Sequence, residues 1–184
     1  IDGNNSIDEN DKDIVGSTIP RYTYSLNLNF GWKGLRLGLL FQGVGKTDGY
    51  LNTYYVMPSN QGGTFRKEHL DWASAENPNG KTPRLTSANK NNWYDSSFWM
   101  KSAAYLRLKN IQLGYTLPER ISMKFGVKRF KIYFNAQNLL TFSNCSFIDP
   151  ESSEFGSNMN SGGANSGRNY PNLRYFGAGL NITF

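Results

Sequence analysis

No stretch of this 184-residue sequence approaches the ~18–20 consecutive apolar residues of a membrane-spanning helix. Insertion as helices is therefore excluded. Insertion as a β-barrel is not, because barrel strands are apolar on one face only and barely register in hydropathy. Cysteine occurs once, at Cys145, so the chain forms no internal disulfide and its redox compartment cannot be read. Histidine also occurs once. His69, beside Asp71 and with no nucleophile at readable spacing, reads as a surface residue and argues against a multi-histidine metal centre. Carboxylates are sparse beyond the start: Asp2, Asp8, Glu9, Asp11 and Asp13 crowd the first 13 residues, so the remainder is more basic than the net charge of +6 suggests. Its Lys and Arg residues are scattered, without the clustered basic run of a nucleic-acid-binding arm. They suit strand ends, a barrel lumen or anionic lipid headgroups. The sequence opens on Ile1 with neither Met nor signal peptide, in a motif already under way, and reads as a fragment.

What is abundant is aromatic residues, at 15%, together with Gly, Asn and Ser, in a chain of mean hydropathy −0.56. The pattern is clearest at Leu173 to Phe184. There Phe176, Ala178, Leu180, Ile182 and Phe184 alternate with Tyr175, Gly177, Gly179, Asn181 and Thr183. Period-two alternation belongs to a strand with one face in an apolar medium and the other in a polar one. Tyr22 to Trp32 repeats it over eleven residues, with Tyr22, Tyr24, Leu26, Leu28, Phe30 and Trp32 against Thr23, Ser25, Asn27, Asn29 and Gly31. Lys33-Gly34 predicts a tight hairpin turn. The return strand, Leu35 to Val44, alternates again, with Leu40 out of place on the polar set. A third strand, Ala103 to Leu117, changes phase between Leu108 and Ile111, and a β-bulge at Lys109-Asn110 would restore one apolar face. After Pro118 come one or two helical turns over Glu119 to Gly126, then a fourth strand from Arg129 to Leu140.

These five amphipathic strands, ~10–15 residues each, alternate short turns (32–35, 118–128) with long loops (45–102, 141–172), the layout of an outer-membrane barrel. Aromatics at the strand ends are where interfacial girdles belong. The expected fold class is all-β: five strands of a larger antiparallel transmembrane β-barrel, whose remaining strands lie upstream. Residues 1–20 and both long loops are then extracellular, and Phe184 sits at the periplasmic rim. In loop 45–102, Thr64 to Ala75 has helical spacing capped by Gly63 or Thr64. Its aromatics (Tyr50, Tyr54, Tyr55, Trp72, Trp93, Tyr94, Phe98, Trp99) either stack on sugars or partners, or form a small core pinning the loop. Loop 141–172, rich in Gly, Ser and Asn, reads as mobile. In residues 1–13, Asp2, Asn4, Ser6, Asp8 and Asp11 fall at positions 3, 5, 7, 9 and 12 of a calcium loop whose first ligand would precede Ile1. A solvated acidic turn is the alternative.

Several motifs together resemble the C-terminal region of SusC/RagA-type TonB-dependent transporters of the Bacteroidetes outer membrane. They are Ile7 to Asp11, Gly16 with Pro20 to Tyr24, Phe41-Gln42-Gly43-Val44, Tyr105 to Tyr115, Ala136-Gln137-Asn138-Leu139, and Tyr170-Pro171 leading to Phe184. The resemblance implies a plugged barrel of about 22 strands that imports glycans or peptides, driven by the TonB complex through an N-terminal region absent here. A SusD-like surface lipoprotein lids it, and outer-membrane lipid surrounds it. At Asn4-Asn5 the acidic stretch departs from the family's usual Asp-Gly pair. No enzyme activity is expected. A hydrolase built on Asp149 and Glu151 would place two acids on an unscaffolded loop. The competing non-enzyme reading is a soluble carbohydrate-binding β-sandwich.

Overall fold

The computed structural model describes residues 3–4, 8–52, 56–58, 64–86, 92, 94–145, 148–152, 164–165 and 170–184. Along the chain run β1 (Tyr22–Trp32), β2 (Leu35–Gly45), β3 (Asp48–Leu51), β4 (Met100–Ser102), β5 (Tyr105–Thr116), α1 (Glu119–Ser122), β6 (Arg129–Ser143), β7 (Ala164–Asn165) and β8 (Tyr175–Thr183). The five long strands form one sheet in the order β1-β2-β5-β6-β8, every pair antiparallel. They are the five that alternation predicts, with small shifts at the ends.

Pairing carries one apolar face across the sheet. Leu28 lies opposite Leu39, which lies opposite Ile111, and Ile111 lies opposite Ala136, which pairs with Phe176. The phase change in β5 is resolved by a bulge. The β2–β5 register shifts between Leu40 and Phe41, so Phe41 faces Leu108 while Leu39 faces Ile111. Lys109 is the extra residue, and Leu106, Leu108, Ile111 and Leu113 share a face. A second irregularity continues into β6. Leu108 pairs with Leu140 and Asn110 with Gln137, leaving Asn138, at φ 53°, to absorb the offset. Asn tolerates left-handed backbone better than most residues. Beyond that kink Leu140 and Phe142 keep the apolar phase, which is why β6 runs three residues past its expected end.

Two turns close the short end. Lys33 and Gly34 both have positive φ, 45° and 87°, the geometry that matches the twist of a two-residue hairpin. Gly34 is required twice over: a Cβ there would lie 2.5 Å from the carbonyl oxygen of Thr116. The β5–β6 turn is α1 followed by a 3-10 turn, Met123–Phe125, and ends at Gly126 with φ 70°. Ser122, buried in its middle, donates to the carbonyls of Glu119 and Lys128.

At the other end the chain makes a second, small sheet, β4-β3-β7, that alternation does not reveal. Leu51, Val56 and Trp99 form a buried cluster against it, with Tyr50, Met57 and Ile148 packed on the outside. Trp99 Nε1 donates to the Asn92 carbonyl at 3.1 Å. The helix expected over Thr64 to Ala75 is only a 3-10 turn, Lys67–Leu70. Residues 71–82 instead fold back on themselves, with Asn77 Nδ2 donating to Asp71 Oδ1 and Thr82 Oγ1 to the Asp71 carbonyl. The segment before β1 is tied to this end as well: Asp48 N–H donates to the Ser17 carbonyl at 2.8 Å, and Arg21 N–H to that of Lys46.

Candidate functional site

The site is the long sheet itself, taken face by face. A strand of eleven residues extends about 36 Å, and at ~45° tilt spans about 25 Å, the height of a barrel's apolar band. On the apolar face the side chains meet each other laterally and, among the described residues, nothing in front. Leu26 is 54% exposed, Phe30 57% and Leu180 61%, and no second sheet or helix among the described residues covers them. A soluble sheet of this composition would bury that face at roughly 25 cal/mol per Å². A contiguous patch this large marks an interaction surface. Aromatics stand at its two ends. Tyr22, Tyr24 and Phe142 are at the long-loop end, and Phe30, Trp32 and Tyr115 at the short-turn end. Tyr24 lies over Gly43, where a Cβ would strike its ring, and its hydroxyl donates to the Tyr105 carbonyl at 2.9 Å.

The opposite face is polar by register. Asn27, Asn29, Gln42, Asn135, Gln137 and Asn181 all lie on it, and Asn29 Nδ2 donates to Asn27 Oδ1 at 3.1 Å. Leu40 is on this face too, between Asn27 and Asn110.

On the polar face near the long-loop end sits a charged clamp. Arg107, only 3% exposed in its side chain, donates from Nη2 to Asp149 Oδ1 and from Nη1 to Glu151 Oε2, each at 2.6 Å. Its Nε donates to Thr141 Oγ1, the residue directly across the β5–β6 ladder. Lys109, at the bulge, pairs with the other oxygen of Glu151. Asn172 closes the clamp, giving its N–H to Asp149 Oδ2 at 2.8 Å and its side-chain amide to Glu151 Oε2. Both ends of the β6–β8 connection are thereby pinned to the wall. Burial by itself raises the Asp149 carboxyl, but hydrogen bonds from Arg107 and from the N–H groups of Glu151 and Asn172 outweigh it. The net result lies below the usual carboxylate range.

The two acids considered for hydrolysis are thus ion-pair partners of Arg107 and Lys109, and Asp149, its carboxyl held ionised, is a poor general acid. Sequence reading missed the cations' part. The available signal was two basic residues, Arg107 just before a phase change and Lys109 within it, in a strand with no carboxylate of its own.

Of the expected calcium ligands, Asn4, Asp8 and Asp11 are described, while Asp2 and Ser6 lie outside the described residues. Asp8 Oδ1 accepts the Asn10 N–H at 2.8 Å and Asp11 Oδ2 the Asp8 N–H at 3.1 Å, a reciprocal cap on the 3-10 turn Glu9–Asp11. His69 is a correction. It is buried rather than on the surface, its Nδ1 accepting the Arg66 N–H at 2.9 Å and its ring edge-on to Phe65. Of the loop aromatics, Trp99 and Tyr50 belong to the small core, whereas Trp72, Tyr94 and Phe98 are exposed. Tyr54, Tyr55 and Trp93 lie outside the described residues.

An antiparallel meander with one bare apolar face, one polar face, aromatic ends and all its long connections on one side is a section of transmembrane β-barrel wall. Comparison with known proteins gives the kind of barrel. The chain is 31% identical, over its whole length, to TonB-dependent receptor P3 of Formosa agariphila, of which it covers 18%. It is also 31% identical, over 99% of its length, to TonB-dependent receptor P26 of the same organism, covering 19%. No protein-family model matches. Among solved structures, the RagAB peptide transporter superposes with a TM-score of 0.71 at 25% identity, and the open-open RagAB peptide importer with 0.69 at 27%. Each match covers 93% of this chain and 18% of that one. The chain spans about a fifth of the length of the curated relatives it matches. The resemblance to the C-terminal barrel region of SusC/RagA-type TonB-dependent receptors is borne out in sequence and in fold.

Proposed function

We propose that this chain is a section of the wall of a TonB-dependent importer in the Gram-negative outer membrane. The observation that supports the reading is the bare apolar face running continuously over all five long strands. In it the apolar face meets lipid and the Asn- and Gln-rich face lines a wet lumen. Residues 1–20, 45–102 and 141–172 stand outside the cell, where a SusD-like lipoprotein would dock. The cargo is a glycan or a peptide, the latter favoured by likeness to a peptide importer. Energy comes from the TonB complex through regions beyond this chain. The wall carries no chemistry. The test uses the full-length receptor in its host. It should fractionate with the outer membrane and migrate as a heat-modifiable band, and its deletion should abolish TonB-dependent growth on one oligomeric nutrient. Recovery as a soluble, detergent-independent protein would refute the reading.

We also propose that the loop 1–13 holds calcium through the oxygen ligands named above, Asn4, Asp8 and Asp11 among them. Calorimetric titration of the full-length receptor with calcium should show a binding event that is lost in Asp8→Asn/Asp11→Asn. An isotherm unchanged by the double substitution leaves the loop as an acidic turn.

A further inference from the structure

The net charge of the chain is confined to one end of it. Lys33, Arg36, Arg120, Lys124, Lys128, Arg129 and Lys131 lie in or beside the two short turns, accompanied by one carboxylate, Glu119. The rest of the chain balances thirteen cations with thirteen carboxylates, so the whole excess of +6 belongs to the short-turn end. By register Arg36, Arg129 and Lys131 stand on the polar face, which turns them toward the lumen side. Lys33 and the three cations of the β5–β6 turn remain outside it.

That turn also carries apolar side chains it does not bury. Ile121, Met123 and Phe125 are 44%, 58% and 76% exposed. They are not exposed by fraying. Buried Ser122 ties the turn together, and Gly126 and Val127 N–H groups close it onto the carbonyls of Met123 and Ser122. Arg120, Lys124 and Lys128 are exposed alongside them. The neighbouring hairpin repeats the combination: Trp32, at the end of the apolar face, has Lys33 Nζ 5.0 Å from its ring centroid. Apolar tips set among flexible cations, just beyond the end of an apolar band, are the chemistry of a headgroup-level anchor.

We infer that the short-turn end of this wall is a lipid-binding rim. Ile121, Met123 and Phe125 dip into the edge of the leaflet, and Arg120, Lys124 and Lys128 engage the phosphates of anionic phospholipids. The inference rests on the proposed barrel wall and adds to it the headgroup class selected at the periplasmic leaflet. The cations carry the selectivity, since each near an anionic surface strengthens association about fivefold. The apolar tips set the depth.

The experiment uses the full-length receptor in nanodiscs with Phe125→Trp, or Met123→Trp as a second reporter, each read against the parent protein. Phospholipids brominated in the acyl chain quench tryptophans that reach them. Brominated phosphatidylglycerol is expected to quench the reporter at least twofold more deeply than brominated phosphatidylcholine at equal mole fraction. Adding Arg120→Gln, Lys124→Gln and Lys128→Gln should make the two lipids equal. Absence of quenching by either lipid overturns the inference and leaves an acidic protein as the rim's partner. A preference for phosphatidylglycerol that survives loss of the three cations overturns it too. In both cases the wall reading stands, because the receptor is in the bilayer. A receptor that does not enter nanodiscs sinks both.

Discussion

Arginine at Ile111 is expected to destabilise the full-length receptor by ~2–4 kcal/mol, whereas arginine at the next residue, Gln112, should cost no more than ~0.5 kcal/mol. The two positions lie mid-strand in β5 and differ only in the face they present. Ile111 stands between Leu39 and Ala136 on the apolar face, and Gln112 between Gly38 and Asn135 on the polar one. If the apolar face meets hydrocarbon, a guanidinium there is stranded near the midplane with no water in reach. If it met water, Ile111→Arg would relieve an exposed apolar patch and cost little. Denaturant titration of the receptor in lipid vesicles, followed by the loss of the fast-migrating folded band, measures both variants. Equal stabilities for the two would rule out lipid on that face.

The faces were legible because a strand's side-chain period is fixed at two, so five stretches of sequence suffice to sort the long sheet into lipid and lumen sides. Even the bulge could be read, since Leu106 and Leu108 fall out of phase with Ile111 and Leu113 and only an extra residue reconciles them. The kink at Asn138 could not. Its neighbours Ala136 and Leu140 keep the same parity, so the offset leaves no mark on the alternation and shows only in the pairing with β5. The long loops were illegible for another reason. Strands β3 and β4 are four and three residues long, too short for a period to emerge. Their positions depend on Leu51, Val56 and Trp99 meeting across nearly fifty residues. Residues 64–75 have helical spacing, yet Thr82 and Asn77 take the backbone partners of Asp71 and Trp72, and those competing hydrogen bonds win. The same distance in sequence hid the clamp: Arg107 finds Asp149 only once the sheet and the returning loop are in place.

That clamp supports the second large expectation. Arg107→Met should leave Asp149 buried with a charge that Asn172 and the backbone cannot neutralise. Breaking a buried pair in this way costs ~3–5 kcal/mol. The low end is expected here, because Glu151 is a quarter exposed and keeps Lys109. The visible effect should be release of the β6–β8 connection, read as faster limited proteolysis between Ser143 and Arg174 while the folded band persists. Arg107→Met/Asp149→Leu/Glu151→Gln should be less sensitive than the single variant, since removing the carboxylates removes the stranded charge. A merely steric role for Arg107 would leave the two alike. The pH dependence follows from Asp149. Its carboxyl is held below its ordinary value in the folded chain, so folding favours the ionised form, and the unfolded chain binds more protons as the medium turns acid. The clamp's contribution is therefore complete above the unfolded value of ~3.9 and declines as pH falls through the lower folded one. Protection of the loop should be flat from neutrality down to the unfolded value and fail only in stronger acid. A loss of protection on raising the pH toward neutrality would contradict the sign, and with it the assignment of Asp149 as an ionised partner of Arg107.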